Sequence, residues 1–299
     1  MAWRVVVIEN PAKLSLKDNK IVIKQDDEVL LPLEDIDSLV VDNQQIILTA
    51  RILSAMSEFG INVLICDNKH LPSTIILPHG RASRGSKNAR QQLSMGEALR
   101  KQLWRKNIIW KIKNQAIVLR KNNFAIESDK LEKLAATVRS GDVGNNEATA
   151  ARLYSDTLLG DTTRRTPMWY NSALNYGYAI VRGSLARAIA ARGLITEIGI
   201  NHHSELNQYN LVDDLLESFR PLVDDYIVEK VAPFHIGDEY DSSLKVEDRH
   251  NIIDVMNQYG IIIDRRYTIK HLTDIVVESF IEAIMSDDAE ILTLPSIEK

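Results

Sequence analysis

Hydrophobic positions in the first eighty residues come in short runs broken by polar pairs. Val5 to Ile8, Leu14-Ser15-Leu16, Ile21-Val22-Ile23, Val29-Leu30-Leu31 and Leu39 to Val41 each have the length and β-branched content of a strand. Asp18-Asn19 between the second and third runs predicts a tight hairpin turn, and Asp26-Asp27 introduces the next run. Together these predict a small antiparallel sheet system. One segment changes period: Thr49 stands as an N-cap before Ala50-Arg51-Ile52-Leu53-Ser54-Ala55-Met56, and Gly60 is placed to stop that helix. Strand signals resume at Ile61 to Cys66 and at Thr74 to Leu77.

After the connector Pro78-His79-Gly80-Arg81-Ala82-Ser83-Arg84-Gly85-Ser86 the period becomes helical, with Leu99, Leu103, Ile109, Ile112, Ala116 and Leu119 on one long element. Trp104 and Trp110 on that element read as core anchors. Further helices are predicted over residues 128–139, 146–158, 170–192, 210–230, 248–258 and 270–286. The fold class is α+β: a β-rich domain over residues 1–80 with antiparallel strands and one helix, a basic linker over 81–87, and a larger all-α domain over 88–299. No fixed-period repeat supports a solenoid. The tail from Ser286, with Asp287, Asp288, Glu290, Pro295 and Glu298, reads either as a frayed end or as a segment that docks on a partner.

Composition excludes more than it identifies. With 45% hydrophobic and 26% charged residues, 13 Gly and 8 Pro, the chain is neither fibrous nor low-complexity. The single cysteine, Cys66, allows no internal disulfide and no cysteine-based zinc cluster, which fits a reducing, cytoplasmic setting. Val5 to Ile8 is too short for a signal-peptide core, and no apolar run nears the roughly 20 residues of a spanning helix. No membrane association is expected. The net charge of −5 conceals an uneven distribution: residues 81–121 carry 12 basic side chains and one acid, Glu97, whereas residues 205–299 carry 8 basic and 21 acidic ones. A basic run with so few acids for i,i+4 pairing has the pattern of a polyanion-binding surface.

Two places hold candidate chemistry. The first is Asn201-His202-His203-Ser204-Glu205 followed by Asp213-Asp214-Leu215-Leu216-Glu217-Ser218-Phe219-Arg220-Pro221, where helical spacing puts Glu217 beside Asp213 or Asp214. Carboxylates with imidazole suit a divalent cation such as Mg²⁺ or Mn²⁺, although a helix carrying Asp and Glu also makes an ordinary solvated face. The second is Glu147, whose i+3 and i+4 neighbours Ala150 and Ala151 allow close packing that would bury the carboxylate against a partner. A first-turn glutamate stabilising its own helix is the plainer reading. His235, His250 and His271 lack ligand-type spacing and read as structural. No P-loop, no His-Glu-x-x-His and no Gly-x-Ser-x-Gly is present, which removes those nucleotide, zincin and serine-hydrolase chemistries.

Several ordered motifs carry a resemblance over nearly the whole length: Pro32-Leu33-Glu34-Asp35-Ile36-Asp37-Ser38-Leu39-Val40-Val41, Thr49 through Val63, Glu147-Ala148-Thr149-Ala150-Ala151-Arg152-Leu153-Tyr154, Asn171 through Tyr178, Gly193-Leu194 through Gly199 to His202, and Asp214 through Pro221. The chain resembles CRISPR-associated protein one, the integrase subunit that inserts new spacers, and is most similar to the type II form. It departs from the family pattern at Ile195-Thr196, where Asp-Pro is common, and at Ser218, where Pro is common.

The resemblance implies a catalytic metal set of Glu147, His202 and Glu217 holding Mg²⁺ or Mn²⁺, with His202 preferred over His203 because it falls three residues after Gly199. It implies insertion of prespacer 3′-hydroxyl ends into the repeat of a CRISPR array by transesterification. Double-stranded DNA would be tracked by Arg81, Arg84, Lys87, Arg90, Arg139, Arg164 and Arg165. It also implies a homodimer, with the N-terminal domain serving dimerisation and partner contact, bridged by CRISPR-associated protein two. The type II interference nuclease and a ring-forming adaptation protein are further expected associates. The acidic C-terminal segment is a candidate docking surface. Two alternatives use the same residues differently: a metal-dependent endonuclease on branched or single-stranded DNA, and a non-enzymatic DNA-binding scaffold.

Overall fold

In the computed structural model, which describes residues 4–68, 70–78, 84–160, 168–235, 237 and 240–298, the chain divides into two units. One comprises residues 1–86 with 186–194, the other residues 87–185 with 195–299.

The first unit begins with β1 (Arg4–Ile8), β2 (Lys13–Lys17), β3 (Lys20–Lys24), β4 (Glu28–Pro32), β5 (Ile36–Val41) and β6 (Ile47–Leu48). It continues through α1 (Ala50–Phe59), β7 (Asn62–Cys66) and β8 (Pro72–Ile76). Asp18 and Asn19 both take positive φ, 48° and 56°, as the tight β2–β3 turn requires, and the strands pair antiparallel with Leu16 opposite Ile21. β4 continues this sheet in the order β4-β3-β2-β6. The second sheet, β1-β5-β7-β8, is antiparallel only at β7–β8. β1, β5 and β7 run parallel, because α1 carries the chain back across the sheet between β5 and β7. The sequence shows this in one place: β5 is buried along its whole length, so Leu39-Val40-Val41 is a continuous apolar run and not an alternating one. Thr49 Oγ1 accepts from the Ile52 amide at 3.4 Å, and Gly60 ends α1 with φ 75°. Leu14, Ile21, Leu39, Ile52, Met56 and Val63 form the core.

The remaining elements are α2 (Gly85–Leu93), α3 (Glu97–Lys121), α4 (Ala125–Ala136), α5 (Asn146–Leu159), α6 (Trp169–Ala191), α7 (Asn210–Leu216), α8 (Arg220–Tyr226), α9 (Val246–Ile253), β9 (Tyr259–Ile262), β10 (Arg265–Thr268) and α10 (Ile269–Ser286). α3 packs against α4, α5 and α8. It buries Leu99, Leu103, Trp104, Ile108, Ile112 and Leu119, with Ile108 inside and Ile109 half-buried.

Three findings depart from the expected helices. The element expected over 210–230 breaks after Leu216, because Pro221 has no N–H to give and its ring opposes a continuous helix through Glu217. Residues 259–268 form a β-hairpin turned by Ile263 and Asp264, both with positive φ, inside the part expected to be all-α. The tail is not frayed: Leu292, Leu294 and Ile297 are buried, Ser296 bridges Ile261, and Asn114 bonds both the Pro295 carbonyl and the Ile297 amide. Cutting after Ser286 would therefore open the core of the second unit as well as remove any docking segment.

Candidate active site

The site lies within the second unit, and its scaffold is a polar row on α3. Asn107, Lys111 and Asn114 follow at i, i+4 and i+7 and are all buried. Asn107 Nδ2 donates to the Asp214 carbonyl at 2.5 Å, which pins α7 to α3. Lys111 Nζ donates to Glu147 Oε1 at 2.7 Å and pairs with Glu217 Oε2. Two carboxylates distant in sequence thus converge on one ammonium.

Each carboxylate is placed by local chemistry. Asp142 accepts the amides of Asn146 and Glu147, both at 2.9 Å, and so fixes the first turn of α5. Ala150, one turn on, is fully buried, and the Glu147 side chain, 31% exposed, points to Lys111. This glutamate is an ion-pair partner beyond any service to its own helix. Glu217 sits at the break between α7 and α8, where Arg220 Nε donates to its Oε1 at 2.8 Å. Arg220 in turn lies 4.7 Å over the Tyr178 ring, and the Tyr178 hydroxyl donates to Asp224. Glu217 Oε2 is sealed from solvent and meets the Lys111 ammonium as an ion pair. Burial alone would push the Glu217 carboxyl up, but the Lys111 and Arg220 charges overrule it and hold it at about 2.

That depression has a sign. A carboxyl lowered from 4.5 to about 2 stabilises the folded protein above pH 4.5, and the contribution fades as pH falls towards 2. Denaturation midpoints measured in EDTA should fall across this window in the native protein and less steeply in Glu217→Gln. Parallel slopes would show that Glu217 does not supply the acid limb.

His202 is held by Asp214. This fully buried carboxylate accepts the Ile200, Asn201 and His202 amides at 2.5, 3.0 and 3.1 Å, and its Oδ1 lies 2.7 Å from His202 Nδ1. Trp104 meets the imidazole edge-on at 5.8 Å between centroids. The bond to Asp214 raises the His202 pKa, burial opposes it, and the charges of Asp214, Glu217 and Asp213 add to the rise. Gly199 is required beside this loop: a Cβ there would lie 2.4 Å from the His202 carbonyl oxygen and 2.6 Å from Asp214 Oδ2. Asp213 serves a different partner, Arg182, through a two-pronged contact at 2.6 and 2.9 Å. His203 is exposed and lines the open cleft beside His202 with Arg100, Glu205 and Asn207.

The structure thus brings Glu147 and Glu217 together and puts His202 within electrostatic reach of Glu217. Among the described residues, no three His, Cys, Asp or Glu side chains are gathered as a ready metal site. The charge arrangement nonetheless fits a cation: the carboxylates of Glu147 and Glu217, from separate elements, face one point. The basic run divides. Lys101 pairs with Glu97, Lys106 with Glu290, Arg120 with Asp129 and Glu132, and Lys121 with Asp225 and Glu229. Arg100 and Arg105 donate to backbone carbonyls. Arg84, Lys87, Arg90 and Arg139 are exposed, while Arg81, Arg164 and Arg165 lie outside the described residues.

Lys111, Asp214 and Arg220 were not assigned these roles from sequence. The one legible signal was the position of Lys111 in the four-residue series Leu99, Leu103, Asn107, Lys111, Gln115, Leu119, which places a charge on the buried face.

The family model "CRISPR associated protein Cas1" matches residues 5–243. The "CRISPR-associated endonuclease Cas1" of Neisseria meningitidis serogroup C is 37% identical over 99% of this chain and 97% of its own length. The chain belongs to the Cas1 family. A further Cas1 relative, from Francisella tularensis subsp. novicida, is 26% identical over 81% of the chain and 83% of its own length. The Cas1 fold is matched by the Thermotoga maritima CAS1 protein TM1797 at a TM-score of 0.77, with 16% identity, over 94% of this chain and 97% of that one. A casposase bound to integration product also reaches 0.77, with 18% identity, over 96% of this chain and 92% of that one. No helix among the described residues is long and apolar enough to cross a membrane.

Proposed function

We propose that this Cas1-family chain is the strand-transferring subunit of CRISPR spacer acquisition, joining prespacer 3′-hydroxyl ends to the repeat by metal-dependent transesterification. The observation that supports it most is the convergence of Glu147 and Glu217 on one buried cation, near an imidazole whose Nδ1 is held by a carboxylate. Glu147, Glu217 and the remaining ring nitrogen of His202 would hold Mg²⁺ or Mn²⁺. Such an ion, when bound, supplies Lewis-acid polarisation of the scissile phosphate and charge stabilisation at the leaving 3′-oxygen.

The chain's own residues do the rest. Arg220 keeps Glu217 ionised and aimed; Asp214 and Trp104 fix the tautomer and plane of His202. No side chain need form a covalent bond to DNA, because the attacking group is the 3′-hydroxyl. Exposed Arg84, Lys87, Arg90 and Arg139 would neutralise duplex phosphates, giving affinity with steep salt dependence and little sequence preference. Reversing the charge at Arg84, Lys87 and Arg90 should weaken duplex binding and lower the slope of log affinity against log salt by about three. Filter binding reads both, and an unchanged slope would remove this run from the DNA track.

A homodimer joined by Cas2 completes the reading; similarity to a chain of a structure described as a Cas6-RT-Cas1–Cas2 complex, at a TM-score of 0.75 and 20% identity over 99% of this chain and 36% of that one, is compatible with it. The test incubates the protein and its cognate Cas2 with a labelled prespacer duplex and a repeat-bearing plasmid, in Mn²⁺ or in EDTA. Label transfer to the plasmid only with Mn²⁺ is the expected result. Nicking without transfer would mean that water is the nucleophile, and binding without strand chemistry would leave a DNA scaffold.

A further inference from the structure

Lys111 is the feature that the proposed chemistry leaves unexplained. Its side chain is 4% exposed, it comes from the middle of the long helix α3, and its ammonium occupies the point on which Glu147 and Glu217 converge. A DNA-tracking lysine would be exposed, and a purely structural one would not need to neutralise two carboxylates from separate elements. We propose that Lys111 is the resident counter-cation of the metal site: it holds the carboxylates together in the metal-free protein and must withdraw for a divalent ion to enter. The inference rests on the metal-dependent reading above.

The charge balance supplies the argument. Glu147, Glu217, Lys111 and Arg220 sum to zero when both carboxylates are ionised. Without Lys111, the buried Glu217 carboxylate and the partly exposed Glu147 carboxylate would face each other with only Arg220 beside Glu217, so like-charge repulsion would drive the pair apart. With Lys111 in place, an entering divalent ion meets a like charge at the same oxygens. The lysine stem has four rotatable carbons, so the ammonium can leave while α3 stays fixed by Asn107 and Asn114. An arriving DNA phosphate adds the negative charge that the displaced ammonium would otherwise lack. Metal and DNA should therefore bind cooperatively, with Lys111 as the coupling group.

Two measurements test this, neither of which reads activity. Mn²⁺ affinity, followed by electron paramagnetic resonance without DNA, should be at least about tenfold tighter in Lys111→Met than in the native protein, because the competing charge is gone. Equal or weaker binding in a folded Lys111→Met protein would overturn the proposal and leave the metal reading standing. Absence of Mn²⁺ binding in both proteins, with or without DNA, would overturn both. The second measurement uses only the native protein, so it holds even if Lys111→Met does not fold. Modification by a small amine acylating reagent, read by mass spectrometry, should be slow at Lys111 in EDTA and faster at saturating Mg²⁺. A labelling rate at Lys111 indifferent to Mg²⁺ would show that the ammonium never leaves the carboxylates.

Discussion

Glu217→Ala should abolish strand transfer, by about a thousandfold or more, and should also lower the stability of the metal-free protein. The kinetic loss follows from removing one of two carboxylates that face the cation, an effect of about 4 kcal/mol for a group acting on charge in the transition state. The stability loss follows from what remains: the half-buried Arg220 loses the partner of its Nε, and the buried Lys111 keeps only the partly exposed Glu147. Removing one member of a buried ion pair costs about 3–5 kcal/mol, chiefly because the other charge stays uncompensated. These two consequences separate in a double variant. Adding Lys111→Met to Glu217→Ala removes one stranded charge and should recover part of the denaturation midpoint while transfer stays lost. If the single variant retains transfer near the native rate, Glu217 has no part in the chemistry. If the double variant is no more stable than the single one, the ion pair is not what the substitution disturbs.

Asp214→Asn should produce the second largest effect. The native carboxylate presents two acceptor oxygens to three backbone amides and to His202 Nδ1, and is wholly buried. Asparagine keeps the shape but replaces one oxygen by a donor, which then faces donating amides either way: those of Ile200 and Asn201, or that of His202 together with its ring nitrogen. An unsatisfied buried donor costs roughly 1–3 kcal/mol, and the loss of a group that orients an imidazole ligand typically costs 10–100-fold in metal affinity or activity. Chemical denaturation together with the transfer assay checks both, and a native midpoint with native transfer would mean that this loop holds its shape without Asp214. Glu217 and Asp214 thus predict different signatures: the first a lost reaction with a partly restorable fold, the second a loosened loop and an imidazole that wanders.

Much of the molecule was legible in the chain itself, for local reasons. Asp18-Asn19, Thr49 and Gly60 set their turn, cap and stop through bonds to near neighbours or through backbone sterics, so their residue types suffice to place them. The helical period after the connector depends only on which residues are apolar. The division into a β-rich N-terminal part and a mainly helical remainder followed from the same patterns, and the ordered motifs were enough to reveal the family. The hairpin over 259–268 was missed because its strands are four residues each and its turn is Ile263-Asp264, a pair without the usual glycine or asparagine.

What tertiary structure alone decided is how charges pair. Residue spacing cannot show that Lys111, one cation in a run of twelve between residues 81 and 121, faces inward to Glu147 and Glu217 while Lys106 reaches Glu290 and Lys121 reaches Asp225 and Glu229. Nor can it divide Asp213 from Asp214: adjacent on one helix, they point about a third of a turn apart, one to Arg182 and the other under His202. Electrostatic partners are chosen by proximity after the helices have packed, and burial then decides how strongly each pair counts. The sequence by itself determined the elements and the kind of chemistry they could carry; the packing of α3 against α5, α7 and α8 determined which charges meet, because that contact is made by residues far apart in the chain.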